Sequence, residues 1–418
     1  MRSFRIVLAG CAAFLFACGQ GAPGSDGGVG GGPPRFGGGG KPDAGTADVT
    51  WHRDVQPIVQ ESCLGCHGAD GIGPFPLETY EQVSSMRDAV AGAVKNRRMP
   101  PWTPDPDCNS YLDERRLTQA QIETLTAWAS AGAPKGDPAD APPPPEGRPE
   151  LPWVDATLDT GFDYTPSTAA PDDHHCFMLD PANTSAKDVI GFDIVPGVRR
   201  MVHHVLLYAA DKAEAVIKDS NTPEPGWTCF GGPGTQNAAV VGGWVPGTPV
   251  TQYPADTGIR IGPGQALVMQ VHYNTRAGTA ADRTQVKLQY AKSPVPKPAL
   301  ISLQAEGAFS IPPNSTGYTV THNQTVPVGV TVYGMLPHMH TLGRRIQVGI
   351  KDGACLVDIP SWDFHWQQFY MLKEPIQVPA GSQGVVTCSW DNPTGRTVAW
   401  GEGTSDEMCL NYYYVTVP

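Results

Sequence analysis

His338-Met339-His340 and the later Met408, in Ser405-Asp406-Glu407-Met408-Cys409, are the residues of this chain best suited by type and spacing to hold a redox metal. Side chains alternate along a strand with period two, so imidazoles at i and i+2 fall on one face. A thioether from a distant segment would complete a set of two nitrogens and one soft sulfur. Thioether favours cuprous copper and imidazole tolerates both oxidation states, so the set suits copper that cycles between them. A His-x-His pair alone fits better a strand with two hydrogen-bonded histidines beside a core methionine. The assignment therefore needs support from elsewhere in the chain.

Further histidines supply it. Met201-Val202-His203-His204-Val205-Leu206-Leu207-Tyr208 puts two adjacent imidazoles in a strand, and Ala266-Leu267-Val268-Met269-Gln270-Val271-His272-Tyr273 puts a third on another. Adjacent strand residues point to opposite faces, so a metal shared by His203 and His204 requires a bulge or a strand end at that point.

Cys63-Leu64-Gly65-Cys66-His67 is the c-type haem attachment pattern. Two thiols bond to the haem vinyl groups, and the adjacent histidine becomes an axial iron ligand. A redox dithiol does not need the histidine, and no second cysteine pair follows at zinc spacing. Met99, in Arg97-Arg98-Met99-Pro100-Pro101-Trp102, is the expected second axial ligand, because the prolines after it hold a loop extended. Met86 competes but falls in a helical stretch, Tyr80 to Val94. Val55 to Val59 forms a first helix and Leu117 to Ala131 a closing one. Residues 48–136 thus resemble a small class I cytochrome c, which implies an all-α domain with one covalently attached haem c.

The ends and the composition frame these motifs. Met1-Arg2-Ser3-Phe4-Arg5 is a basic start, Ile6 to Phe16 is apolar, and Leu15-Phe16-Ala17-Cys18 resembles a bacterial lipoprotein processing site. Leu8-Ala9-Gly10-Cys11 fits that pattern too, but would leave too short an apolar run. The expectation is a signal peptide over 1–18, a lipid anchor at Cys18 and an exported, periplasmic or cell-envelope protein. Residues 19–47, almost entirely Gly, Pro, Ser, Asp and Ala, read as a flexible tether, and 137–152 as a proline-rich linker. The formal net charge is −12, and no Lys/Arg cluster suggests nucleic acid. The ten cysteines of an exported chain read as disulfides or cofactor attachments. After Trp153 short β-rich segments follow: Val189–Val195, Val202–Tyr208, Ala266–Tyr273, Thr284–Tyr290, Thr325–Tyr333, Arg345–Ile350 and Gly384–Trp390. No long helical period appears there, and the length suggests two all-β sandwiches, over 153–296 and 297–418.

From about residue 170 onward the chain resembles the copper type II, ascorbate-dependent monooxygenases, the family of peptidylglycine α-hydroxylating and dopamine β-monooxygenases. The resemblance implies two jelly-roll-like domains with one copper each. It assigns the first copper to His203, His204 and His272, the last in its Gln-Val-His-Tyr context. It assigns the second to His338, His340 and Met408, the last in Asp-Glu-Met-Cys, and retains Tyr412 beside it. It also implies a Cys388–Cys409 disulfide; Cys176 with Cys229 is expected to tie the first copper domain. Cys108 and Cys355 are expected to remain free or otherwise used, with a bridge between them as the alternative.

The activity implied is hydroxylation of a C–H bond of a small organic substrate by O₂. The second copper would activate O₂, the first would deliver an electron, and a reductant, ascorbate or a redox protein, would resupply the pair. The fused haem prompts a further expectation, that it feeds the first copper. The alternative is a non-catalytic haem and copper electron-transfer or copper-binding lipoprotein. Peptide-hydroxylating members hold a substrate carboxylate with an Arg two residues before His-x-His and an Asn just after Met-Cys. This chain has Leu336 and Leu410 there, which points to a less polar substrate. His174-His175 occupy positions where the family has no ligand and read as surface residues or neighbours of the site. His365 is expected in a strand near the second copper. His52 and His322 carry no signal.

Overall fold

A computed structural model describes residues 49–68, 73–112, 114–144, 149–248, 250–364, 366–401, 403 and 405–418. The signal peptide, the tether, Cys18 and His365 lie outside the described residues.

The helices come first. A π-helical turn, Trp51–Val55, runs into Gln56–Ser62, and Leu64–His67, Tyr80–Ser85, Arg87–Lys95 and Gln119–Ser130 follow. Thr79 and Thr118 each accept the backbone N–H of a glutamine three residues on, Gln82 and Gln121, whose side chains reach back to the cap. These are two capping boxes that set where helices begin. The expected single run over Tyr80 to Val94 is instead two helices, parted at Met86, whose backbone leaves the helical region. Trp51, Val55, Val59, Val83, Leu125 and Trp128 make the helical core.

The rest is two β-sandwiches that share a sheet. Five strands, Trp227–Thr228, Asp172–Leu179, Gln265–Asn274, Val202–Asp211 and Ala239–Trp244, lie side by side in that order. Four others, Ser315–Thr325, Gln383–Asn392, Gly343–Ile350 and Cys355–Ile359, make a second sheet. Both cores draw on one nine-stranded sheet. Its two halves meet where Lys297–Ala305 pairs parallel to Thr257–Ile261. Tyr333 and Tyr414, from the later half, pack into the first core.

The expected strands form with ends within three residues of expectation, with one exception. Thr325–Tyr333 is not a single strand: Ser315–Thr325 ends and Val330–His338 begins in a different sheet. Pro327 and Gly329 fall in the crossing, where the first cannot donate to a ladder and the second turns freely. A helix, Lys212–Ser220, also stands where none was expected. Asp211 accepts the Glu214 N–H and caps it, a short-range signal that a search for long periods passes over.

Three disulfides are formed: Cys176–Cys229, Cys388–Cys409 and Cys108–Cys355. The last corrects the expectation of free thiols. Residues near Cys108 run along the second sandwich, with the Asp105 N–H donating to the Asp358 carbonyl at 2.7 Å and the Leu112 N–H to that of Met371 at 2.7 Å. The Lys373 N–H donates in turn to the Ser110 carbonyl at 3.0 Å. Tyr111 is buried in the second core and donates to the Leu356 carbonyl. That docking brings together two cysteines 247 residues apart, which no local spacing could indicate.

Candidate functional site

His272 lies opposite His204 across the antiparallel pair Val202–Asp211 and Gln265–Asn274, and opposite His174 on its other side. The register slips between Val202 and His204, which is the bulge that a shared metal at His203 and His204 demands. All three imidazoles therefore reach one side of the sheet, where Gln270, Cys176 and Tyr208 also point, away from the first core. The Nδ1 atoms of His203 and His272 each lie 3.4 Å from Nδ1 of His204, and the ligand atoms of all three fall within 4.8 Å of one another. Metal–imidazole bonds of about 2 Å place ligand nitrogens about 3–4 Å apart, so this donor set fits one ion.

The orientation of His272 is determined by its surroundings. Its Nε2 is 2.9 Å from the Asp172 carboxylate, so Nε2 carries the proton and Nδ1 is left with its lone pair. On the ring face, His174 stacks at 4.0 Å and 15°. Burial, then the neighbouring imidazoles of His272, His203, His174 and finally His338, hold His204 well below the usual histidine range. It is neutral, as a ligand must be.

The second set differs from expectation in its backbone. The strand Val330–His338 ends at His338, and His340 lies past it. The ladder is replaced there by the buried Glu407 carboxylate, which accepts the His340 N–H at 2.9 Å, the Leu342 N–H at 2.6 Å and the Trp390 indole N–H at 2.9 Å. Glu407 thus holds its neighbour Met408 against the His338–Leu342 segment, while Cys409 is anchored to Cys388. The two imidazoles still meet, with ring centroids 5.1 Å apart and planes at 86°. Nδ1 of His338 donates to Gln367, whose amide is oriented by its own bond to the Phe364 carbonyl, and Nδ1 of His340 donates to the Asp406 carbonyl at 3.1 Å. Both Nε2 atoms are left as donors to a metal. Burial is the main cause that lowers His338, to about 4, so it too is neutral.

Beside this set lies an apolar row. Leu303, Tyr412 and Leu336 are cross-strand neighbours, one step along from Ala305, Leu410 and His338, and alternation puts them on the face that carries His338. Leu303 is 46% exposed, so the row is open to a ligand.

In the helical module, Cys63 and Cys66 are not disulfide-bonded. Burial pushes the Cys63 thiol up to about 11 and raises Cys66 as well, which does not suit a reactive dithiol. Nδ1 of His67 donates to the Phe75 carbonyl at 2.9 Å, leaving Nε2 for a metal, and the Cβ of any other residue at Gly73 would come within 2.5 Å of that ring. Two thiols and one oriented imidazole within a single turn fit a c-type haem. Met99 and Met86 both pack against the helical core.

Asp172 and His174 flank His272, the second as the neighbour of the site that the sequence reading allowed, while Gln367 and Glu407 have roles that reading did not assign. The alternation of Asp172, His174 and Cys176 along one strand face was a usable signal for the first two. Gln367 and Glu407 act through segments distant in sequence, for which there is none.

Comparison with known proteins agrees with this geometry. Residues 165–280 match the N-terminal domain of the copper type II ascorbate-dependent monooxygenases, and residues 300–417 match their C-terminal domain. The chain is 26% identical over 248 residues to tyramine beta-hydroxylase of Caenorhabditis briggsae, covering 53% of this chain and 40% of that protein. It is 25% identical over 253 residues to DBH-like monooxygenase protein 1 of Gallus gallus, covering 51% and 39%. With human dopamine beta-hydroxylase it shares 24% over 301 residues, covering 64% and 47%. It therefore spans less than half the length of these relatives. Both histidine sets fall inside the matched domains, and on that ground the chain belongs to the copper type II ascorbate-dependent monooxygenase family.

Proposed function

We propose that this protein is a copper-dependent monooxygenase that hydroxylates a C–H bond of a small, largely apolar or aromatic substrate with O₂. The observation that carries the reading is the pair of donor sets: the ligand atoms of His203, His204 and His272 lie within reach of one ion, and His272, His338 and His340 are each oriented by a hydrogen bond on one ring nitrogen. His203, His204 and His272 would hold one copper, and His338, His340 and Met408 the other. Copper at these sets supplies one-electron transfer and O₂ activation. Around it, Asp172 and Gln367 hold imidazole protons in place, and Glu407 keeps Met408 beside His338-x-His340. Leu336, Leu410, Tyr412 and Leu303 would receive the substrate. Leucines at 336 and 410, in place of a cation and an amide, leave a substrate carboxylate poorly compensated, so an apolar body is favoured over a peptide terminus. The relatives named for tyramine and dopamine make phenylethylamines the first compounds to try.

Cys63 and Cys66 would bind haem c covalently, with His67 as one axial ligand and Met99 as the other. The haem would pass electrons to the three-histidine site, and ascorbate or a redox protein would re-reduce it. The protein is placed in the cell envelope by a lipid on Cys18. The test is incubation of copper-loaded protein with ascorbate, ¹⁸O₂ and a panel of phenylethylamines and apolar aromatics. One ¹⁸O atom in a hydroxylated product is expected. Oxidation of ascorbate with no labelled product across the panel would favour the alternative, a haem and copper electron-transfer protein.

A further inference from the structure

Val245-Pro246-Gly247-Thr248 has the composition of a type II turn, with proline second and glycine third. The turn forms: the Thr248 N–H donates to the Val245 carbonyl at 2.9 Å, and Gly247 has φ +85°. A second constraint also demands glycine. A Cβ at Gly247 would come within 2.8 Å of the Cys66 sulfur, one of the two thiols of the Cys-x-x-Cys-His motif. Arg115, from the helical module, donates to the Gly247 carbonyl at 3.0 Å and clamps the contact.

This turn follows directly on the strand Ala239–Trp244. Trp244 is buried and lies opposite Val205 in the antiparallel pair with Val202–Asp211, and Val205 is next to His204. The chain from Gly247 back to Trp244 covers about 10 Å at full extension. One interstrand step of about 5 Å then reaches Val205. A haem-attachment thiol and a candidate copper ligand are thus joined by one short strand end and one rung of a ladder. The module's other contact, through Tyr111 and Cys108, goes to the second sandwich and not to the sheet that carries His204 and His272.

We propose that the Val245–Thr248 turn, clamped by Arg115, is the port through which electrons pass from the haem module to the three-histidine site. The proposal rests on the reading above that Cys63, Cys66 and His67 hold haem and that His203, His204 and His272 hold copper. In the step, ferrous haem loses one electron and becomes ferric, and cupric copper gains it and becomes cuprous. No bond forms or breaks and no proton moves. A one-electron donor such as ascorbate restores ferrous haem.

The test mixes oxidised, haem- and copper-loaded full-length protein anaerobically with substoichiometric dithionite in a stopped-flow instrument. Haem reoxidation is followed by absorbance, and the cupric signal by EPR of frozen samples. Electron transfer falls off steeply as the gap between donor and acceptor widens, and both substitutions loosen this contact. Gly247→Val and Arg115→Ala are therefore expected to slow reoxidation about tenfold or more with the haem spectrum unchanged. Asn109→Ala, which removes a bond to the Cys355 carbonyl on the other contact, should leave the rate alone. His272→Ala tests the underlying reading. If it leaves reoxidation at the parent rate, the relay itself is wrong. If it blocks reoxidation while Arg115→Ala and Gly247→Val match the parent, the relay stands and the port is wrong. Should Gly247→Val fail to take up haem, the Arg115→Ala rate decides.

Discussion

His174 illustrates how a residue outside the ligand set can govern it. It faces His272 across the strand pair, stacks on it at 4.0 Å, and meets Phe230 edge-on at 4.8 Å. With Asp172 fixing the proton of His272 and His174 fixing its plane, the Nδ1 direction is determined on two sides. Partners of this kind are worth about 10–100-fold in metal affinity when removed. His174→Ala, which removes a stacked ring and not a hydrogen bond, is expected to weaken copper at the three-histidine site by no more than the lower end of that range and to alter its EPR hyperfine pattern, while His174→Phe, which keeps a flat ring, restores both. Equal affinities in all three proteins would rule out a positioning role for the stack. The ligands themselves were legible from residue type and context. Their orienting partners were not, because a hydrogen bond such as that of Gln367 to His338 joins positions with no sequence relation.

At the scale of elements, the join between the sandwiches depends on one buried carboxylate. Asp188, on Lys187–Val195, faces Arg260 on Thr257–Ile261 and also accepts the Val295 N–H, just before the strand that begins the second half. Burial by itself would raise this carboxyl, but hydrogen bonds from Arg260 and Val295 outweigh it and hold it below the usual 3.8. The folded value lies below the unfolded one, so this stabilisation is complete above the unfolded value and is lost as pH falls through the depressed folded value. Asp188→Asn is expected to cost about 1–3 kcal/mol at pH 7. The deficit should shrink as the pH is taken below 3.8, and thermal unfolding at a series of pH values reads it. A deficit independent of pH would contradict this account. Most strands were legible from alternation and turn residues. The Thr325–Tyr333 stretch was misread because the residues on either side of its break are both β-favouring. Which sheet a strand joins is not written in its own periodicity.

For the whole molecule, the segment around Tyr111 welds the helical module to the second sandwich, and Cys108–Cys355 closes the connection. A native disulfide typically adds about 2–4 kcal/mol. Replacing both cysteines by serine is expected to cost a loss in that range and to expose the 103–116 segment to limited proteolysis, with the β-domains left folded. An unchanged proteolysis pattern would mean that Tyr111 and its backbone bonds suffice. The sequence by itself determined the chemistry on offer: two thiols and a histidine in one turn, three imidazoles on two strands, and two more with a thioether. Type and local spacing decide which atoms can bind a metal, and these are properties of a few adjacent residues. Only the tertiary structure decided which partners orient each set, that one sheet serves both sandwiches, and that the Cys66 thiol rests on Gly247. Those are long-range contacts selected by burial of the whole chain, and no window of sequence contains both partners.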